Sequence, residues 1–181
     1  MKKPVVRVYD SRYQKQVEDL ILSIQQQEYA IPITIEDQPD LHSIPSFYQT
    51  GNGNFWIALD GEQVVGTISL LDIGDSHLAL RKMFVAKPYR GSTFRTAHEL
   101  LSTAINWANQ REVSAIYLGT TPAFKAAHRF YEKNGFTSIP PDALPSRFPV
   151  LEVDKKFYHY VLNKKAKTPI TNDKENLASR P

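Results

Sequence analysis

The chain has 181 residues, 41% hydrophobic and 23% charged, which suits one domain with one sizeable core. It contains no cysteine, so disulfides, thiolate metal sites and a cysteine nucleophile are excluded. The formal charge of +3 is held by residues 163–181, where Lys164, Lys165, Lys167, Lys174 and Arg180 face only Asp173 and Glu175.

Val5-Val6-Arg7-Val8-Tyr9, bounded by Pro4 and Asp10, predicts a first strand. Asp10 or Ser11 can cap the helix that follows, whose apolar positions Val17, Leu20, Ile21 and Ile24 recur at helical spacing until Pro32 forbids continuation. Residues 31–40 read as irregular. Asp40 is then the expected cap of a short helix carrying Leu41, Ile44, Phe47 and Tyr48. Phe55–Leu59 and Val64–Leu70, joined across Asp60-Gly61, form a strong hairpin signal. A further strand runs from about His77 to Ala86. Its apolar residues alternate at Leu78 and Leu80, then at Met83 and Val85, so the spacing shifts near Arg81-Lys82 as a bulge would require.

From Thr93 to Arg111 the pattern is helical, with Phe94, Ala97, Leu100, Leu101, Ala104, Ile105 and Ala108 on one face. A buried strand, Ala115–Leu118, comes next. Pro122 suits the first turn of another helix, on which Phe124, Ala127, Phe130 and Tyr131 recur, and Asn134-Gly135 ends it. Phe136 starts one more strand and Phe157–Leu162 closes the domain, set at residues 4–162. The order of elements implies an α+β (α/β/α) fold with a mixed sheet. Residues 163–181 carry no apolar periodicity and read as a basic, disordered tail.

These patterns also bound the partners. The residues outside the tail balance in charge, which argues against nucleic acid. The five histidines are scattered without metal-ligand spacing, so no metal is expected. No apolar run is long enough to cross a bilayer, and the first residues lack the centre of a signal peptide, so a cytoplasmic protein is expected.

The most informative stretch runs from Met83 to Thr96. A strand ends, a loop containing Pro88 and Gly91 follows, and a long helix begins. Exposed amides at a helix start form an anion site, here with Arg90 and Arg95 nearby, and Gly91 permits close backbone approach. An ordinary capped loop with surface arginines explains the same residues.

Val85-x-x-Pro88-Tyr89-Arg90-Gly91 before an amphipathic helix resembles the acetyl-CoA pyrophosphate loop of GNAT enzymes. Ala127-His128-Arg129-Phe130-Tyr131-Glu132-Lys133-Asn134-Gly135-Phe136 resembles that family's second signature. The resemblance implies a mostly antiparallel twisted sheet flanked by helices, with a V-shaped split between two parallel central strands ending near Val85 and Leu118. It implies acetyl-CoA as co-substrate, held by the backbone of Met83, Phe84 and Val85 and by Arg90, Gly91, Ser92, Thr93, Phe94, Arg95 and Thr96. Phe124 stands where many relatives carry an Asn against the pantetheine arm. The chain departs from the family at Thr93 and Arg95, where the usual loop has small residues.

By the same resemblance Tyr131 is the general acid toward the departing thiolate, and otherwise a core aromatic like Phe130. Glu36, with Asp37 beside it, borders the acceptor pocket as a candidate base or amine ligand, or is a solvated loop acid; His77 is a third candidate. The expected reaction is direct acetyl transfer to a primary amine, on a small molecule, in a protein that is a monomer or homodimer. A longer acyl donor such as succinyl-CoA and a non-catalytic acyl-CoA sensor are the alternatives.

Overall fold

The structure is a computed structural model that describes residues 1–162; the expected tail lies outside the described residues. Seven strands form one sheet in the order β1-β2-β3-β4-β5-β7-β6. They are β1 (Val5–Val8), β2 (Asn54–Asp60), β3 (Gln63–Asp72), β4 (His77–Val85), β5 (Ala115–Thr120), β6 (Thr137–Ile139) and β7 (Lys156–Val161). Every neighbouring pair is antiparallel except β4 and β5. Helices α1 (Gln14–Ser23) and α2 (Ile44–Phe47) precede β2, α3 (Thr96–Asn109) joins β4 to β5, and α4 (Lys125–Lys133) joins β5 to β6. The mixed sheet between helices is therefore as the element order implies.

Two apolar clusters separate the faces. Leu100, Leu101, Ala104 and Ala108 of α3 and Tyr131 of α4 pack with Trp56, Ile68, Leu78, Leu80, Val85 and Leu118. Val17 and Ile21 of α1 pack on the other face with Leu41, Ile44, Tyr48, Phe55 and Ile57. The alternation of inward residues along each strand places successive side chains in opposite clusters.

β4 breaks that alternation where the spacing said it would. Thr67 opposes Phe84 and Ser69 opposes Arg81, so one extra residue of β4 lies between, and Lys82 is left-handed at φ 54°. A non-glycine residue there costs of order 1 kcal/mol. The Thr67 and Ser69 hydroxyls, both fully buried, donate to the displaced carbonyls of Lys82 and Arg81 at 2.6 and 2.7 Å. Two buried hydroxyls in an otherwise apolar strand thus have a structural reason.

Several boundaries differ from the expected ones. Helix α1 widens into a π-helical turn over Ile24–Glu28 before Pro32 is reached. Asp40 does not cap a helix: it lies inside a 3-10 turn, Pro39–His42, and its carboxylate accepts from the Tyr48 hydroxyl at 2.5 Å. Helix α3 begins at Thr96 rather than Thr93, because Arg95 takes the left-handed conformation, φ 51°, that a helical residue cannot have. Pro122 precedes α4, which begins at Lys125.

Candidate active site

β4 and β5 are in register for only three pairs, His77 with Ala115, Leu78 with Ile116 and Ala79 with Tyr117. Beyond them the strands diverge, since β4 continues along β3 while β5 stays paired with β7 throughout its length. The split opens a cleft of about 260 Å³ between residues 80–84 of β4 and residues 118–120 of β5. Gln25 and Tyr29 from the π-helical turn, Ile31, Ile33 and Gln38 from the following segment, and Phe124, Ala127 and Tyr131 from α4 complete its walls with Phe148–Asp154. On the cleft side, residues 80–85 of β4 have no strand partner among the described residues. That is the edge along which an extended ligand arm can be held by peptide groups.

Beyond Val85, the loop toward α3 follows β4 outside the residues that line the cleft. Gly91 has φ 90° and an added Cβ there would meet no atom within 4 Å, so the backbone borders open space. Among the described residues, helix α3 has no side-chain cap, and the hydroxyl of Thr96, itself 2% exposed, has no hydrogen-bond partner. Uncapped amides and an orphaned hydroxyl at one helix start are the features an anion satisfies. Ser92, Thr93 and Arg95 are exposed on this loop, and Phe94 tilts against Tyr89, whose hydroxyl donates to Asp60 at 2.7 Å. Arg95 supplies the left-handed residue at a position the resembled family fills with a small one.

Arg90 is engaged elsewhere. Its Nε donates to the Val85 carbonyl at 2.8 Å and its two terminal nitrogens to the carboxylate of Glu28 on the π-helical turn. The guanidinium holds the carboxyl of Glu28 below its ordinary pKa, chiefly through that hydrogen bond. Arg90 therefore ties the turn to the end of β4 instead of presenting a free cation to the loop.

Tyr131 reaches the cleft from α4. It is 6% exposed, its ring lies against Phe130 and Phe136, and its hydroxyl makes no hydrogen bond among the described residues. Burial pushes its pKa well above the ordinary tyrosine value, so the hydroxyl stays protonated and able to donate. Phe124 stands at the N-terminus of α4, edge-on to Tyr29 at 4.5 Å, and this contact bridges the two sides of the cleft.

The candidate bases are not brought together. Glu36 is exposed and is not among the residues lining the cleft; Asp37 accepts from the Thr34 amide and hydroxyl and so closes its own turn. His77 lies where β4 and β5 are still paired, its ring edge-on to Tyr117. The cleft instead receives Lys82, which sequence reading passed over because only the spacing of its neighbours marked its position. Its Nζ donates to Gln38 Oε1 at 2.6 Å and lies 3.5 Å from Asp40 Oδ2, with the side chain 9% exposed. Gln38 in turn exchanges hydrogen bonds with Gln25 at 2.9 and 3.0 Å. The segment 140–155 supplies a further wall through Phe148, Leu151 and Asp154. Among the described residues no group of three or more metal-ligating side chains and no helix long and apolar enough to cross a membrane is found.

A mixed sheet that splits between its two parallel strands is the arrangement that the GNAT resemblance implies. The model of the Acetyltransferase (GNAT) family matches residues 19–136, and the chain belongs to that family. It is 34% identical over 103 residues to the probable N-acetyltransferase camello of Xenopus tropicalis, covering 56% of this chain and 46% of that protein. The chain thus spans less than half the length of that relative. Among solved structures, a GNAT-family acetyltransferase from Staphylococcus aureus Mu50 superposes with a TM-score of 0.84 at 38% identity, covering 88% of this chain and 99% of that one. The fold is also that of N-acetylglutamate synthase from Neisseria gonorrhoeae, solved with coenzyme A and N-acetylglutamate, at TM-score 0.70 and 15% identity over 91% of this chain and 36% of that one.

Proposed function

We propose that the protein transfers an acetyl group from acetyl-CoA to a primary amine of a small molecule, by direct attack within a ternary complex. The observation that carries this reading is an unbonded tyrosine hydroxyl in the split-sheet cleft, together with an orphaned hydroxyl and uncapped amides at the start of α3. The orphaned Thr96 hydroxyl and uncapped α3 amides suit a diphosphate, and the unbonded Tyr131 hydroxyl lines the cleft. Gly91 and the amides of Ser92–Thr96 would hold the diphosphate, and the free edge of Met83, Phe84 and Val85 the pantetheine arm. A β4 amide beside the thioester carbonyl would stabilise the negative charge that develops on its oxygen.

Family membership and the coenzyme A complex of a fold relative support the donor. The cleft volume of about 260 Å³ supports a small acceptor. Tyr131 is the donor to the departing thiolate. Its protonated state follows from burial, and the apolar rings around it fix its direction.

A second reading, acyl-CoA binding without turnover, draws on one observation: Arg90 is committed to Glu28 and leaves the loop with one fewer cation. Calorimetry with acetyl-CoA, followed by thiol release against a pool of primary amines, separates the two. Binding with release supports the transferase, binding without release supports the sensor, and absence of binding overturns both.

A further inference from the structure

The cleft contains a buried lysine for which the reading above has no use. Lys82 is held on the extra residue of the β4 bulge, which turns it to the same face as Arg81 instead of the opposite one. Arg81 stands over the ring of Phe47 and Lys82 against Gln38 and Asp40, all on the α1 and α2 side of the sheet. A regular strand would send Lys82 into the apolar cluster beneath α3.

We propose that Lys82 is the catalytic base that removes the proton from the acceptor's ammonium group at the inner end of the cleft. This deepens the transferase reading and rests on it. The neutral Nζ takes one proton from the ammonium. The freed amine forms a bond to the thioester carbonyl carbon, and the carbon–sulfur bond breaks. The attacking nitrogen sheds its second proton, which reaches the thiolate through the Tyr131 hydroxyl. Lys82 then returns its proton to solvent, so the sum is an amide, a thiol and one released proton.

The surroundings prepare the group for this role. Burial lowers its pKa from the usual lysine value to about 8, with the neighbouring Arg81 acting in the same direction and Asp40 opposing. The facing groups are Asp40 and Gln38 from the segment before α2, Gln25 from the π-helical turn, and Arg81 on β4. Tyr48 acts from α2 through its hydrogen bond to Asp40, and Asp154 borders the same cleft from the segment before β7. Asp40 restrains the loss of charge enough to keep the side chain in place when protonated. Gln38 accepts from Nζ in either state, leaving the remaining valence toward the cleft.

Three measurements test this. In side-chain carbon NMR of the lysines, with Lys82→Arg identifying the resonance, Lys82 is expected to titrate near pH 8, below the usual lysine value of 10.5. Titration of Lys82 at 10.5 or above overturns the proposal, whether or not an acceptor is known. With any amine that proves a substrate, Lys82→Arg is expected to lower kcat by about a hundredfold or more, with unchanged acetyl-CoA affinity and melting temperature. Arginine preserves the cation and the donors to Asp40 and Gln38 but cannot give up its proton, so a merely structural role would be rescued. Full turnover by this variant overturns the base and leaves the transferase reading intact. In wild type, the rise of kcat with pH is expected to keep a midpoint near 8 for two acceptors of different basicity; a midpoint that follows the acceptor also overturns it. Acetyl-CoA binding without turnover of any amine overturns both readings together.

Discussion

β4 and β5 begin as hydrogen-bonded partners and end as opposite banks of one cleft, yet they are built differently. β5 is regular, paired with β7 at all six of its residues, and Gly119 on it leaves room for the carboxylate of Asp154. β4 is irregular, with a left-handed lysine, displaced carbonyls caught by two hydroxyls, and an arginine clamp at its far end. The regular bank supports a wall. The irregular bank presents the polar groups, and strain is tolerated where it aims a side chain.

The contrast predicts where substitutions act. Tyr131→Phe removes the only hydroxyl that α4 brings to the cleft, and kcat should fall about a hundredfold while acetyl-CoA binding is unchanged. Stopped-flow thiol release alongside calorimetry measures both, and equal turnover would end its assignment as proton donor. On the β5 bank, Gly119→Ala places a Cβ 2.6 Å from Asp154 Oδ2, which is itself bonded to the Leu151 amide. A stability loss of about 1–2 kcal/mol in chemical denaturation is expected, since the loop must move to admit the methyl group. A neutral result would mean that this bank is as pliable as the other.

The smallest effect concerns the clamp. Glu28→Gln should cost about 0.5–1 kcal/mol near neutral pH, as an ion pair that is only partly buried. Because the folded state lowers the Glu28 pKa from 4.5, the wild-type advantage is full above that pH and fades as pH falls through the lower folded value. Urea titrations of both proteins between pH 3 and 7 check the size and the sign. A pH-independent difference would remove the charge from the explanation.

The fold was legible in the sequence wherever a period was sustained. The α3 face from Ala97 to Ala108, the hairpin around Gly61 and the phase shift at Arg81-Lys82 each report packing that neighbours in sequence already impose. What was not legible depended on distant partners. Glu28 looks like any helix-surface acid until the fold sets it against Arg90, sixty-two residues later. Lys82 looks like an exposed strand residue until Gln38 and Asp40 close over it. Glu36 sits in the right segment, but that segment turns its apolar Ile31 and Ile33 toward the cleft and leaves the acid in solvent.

The single additional residue in β4 has a further consequence for how the chain tolerates change in length. At the turn joining β2 to β3, a Cβ added to Gly61 would meet nothing within 4 Å, so a change of length at that tip disturbs little packing. Between Ser69 and Thr67 on the neighbouring strand the register is counted against a fixed frame, so losing one residue would restore even pleating without breaking the sheet. The domain would keep its hydrophobic layers, with Leu80 and Val85 still beneath α3, and lose only the side chain that the extra residue carries to the α1 face. Here the length of the segment is as much a determinant of chemistry as its composition.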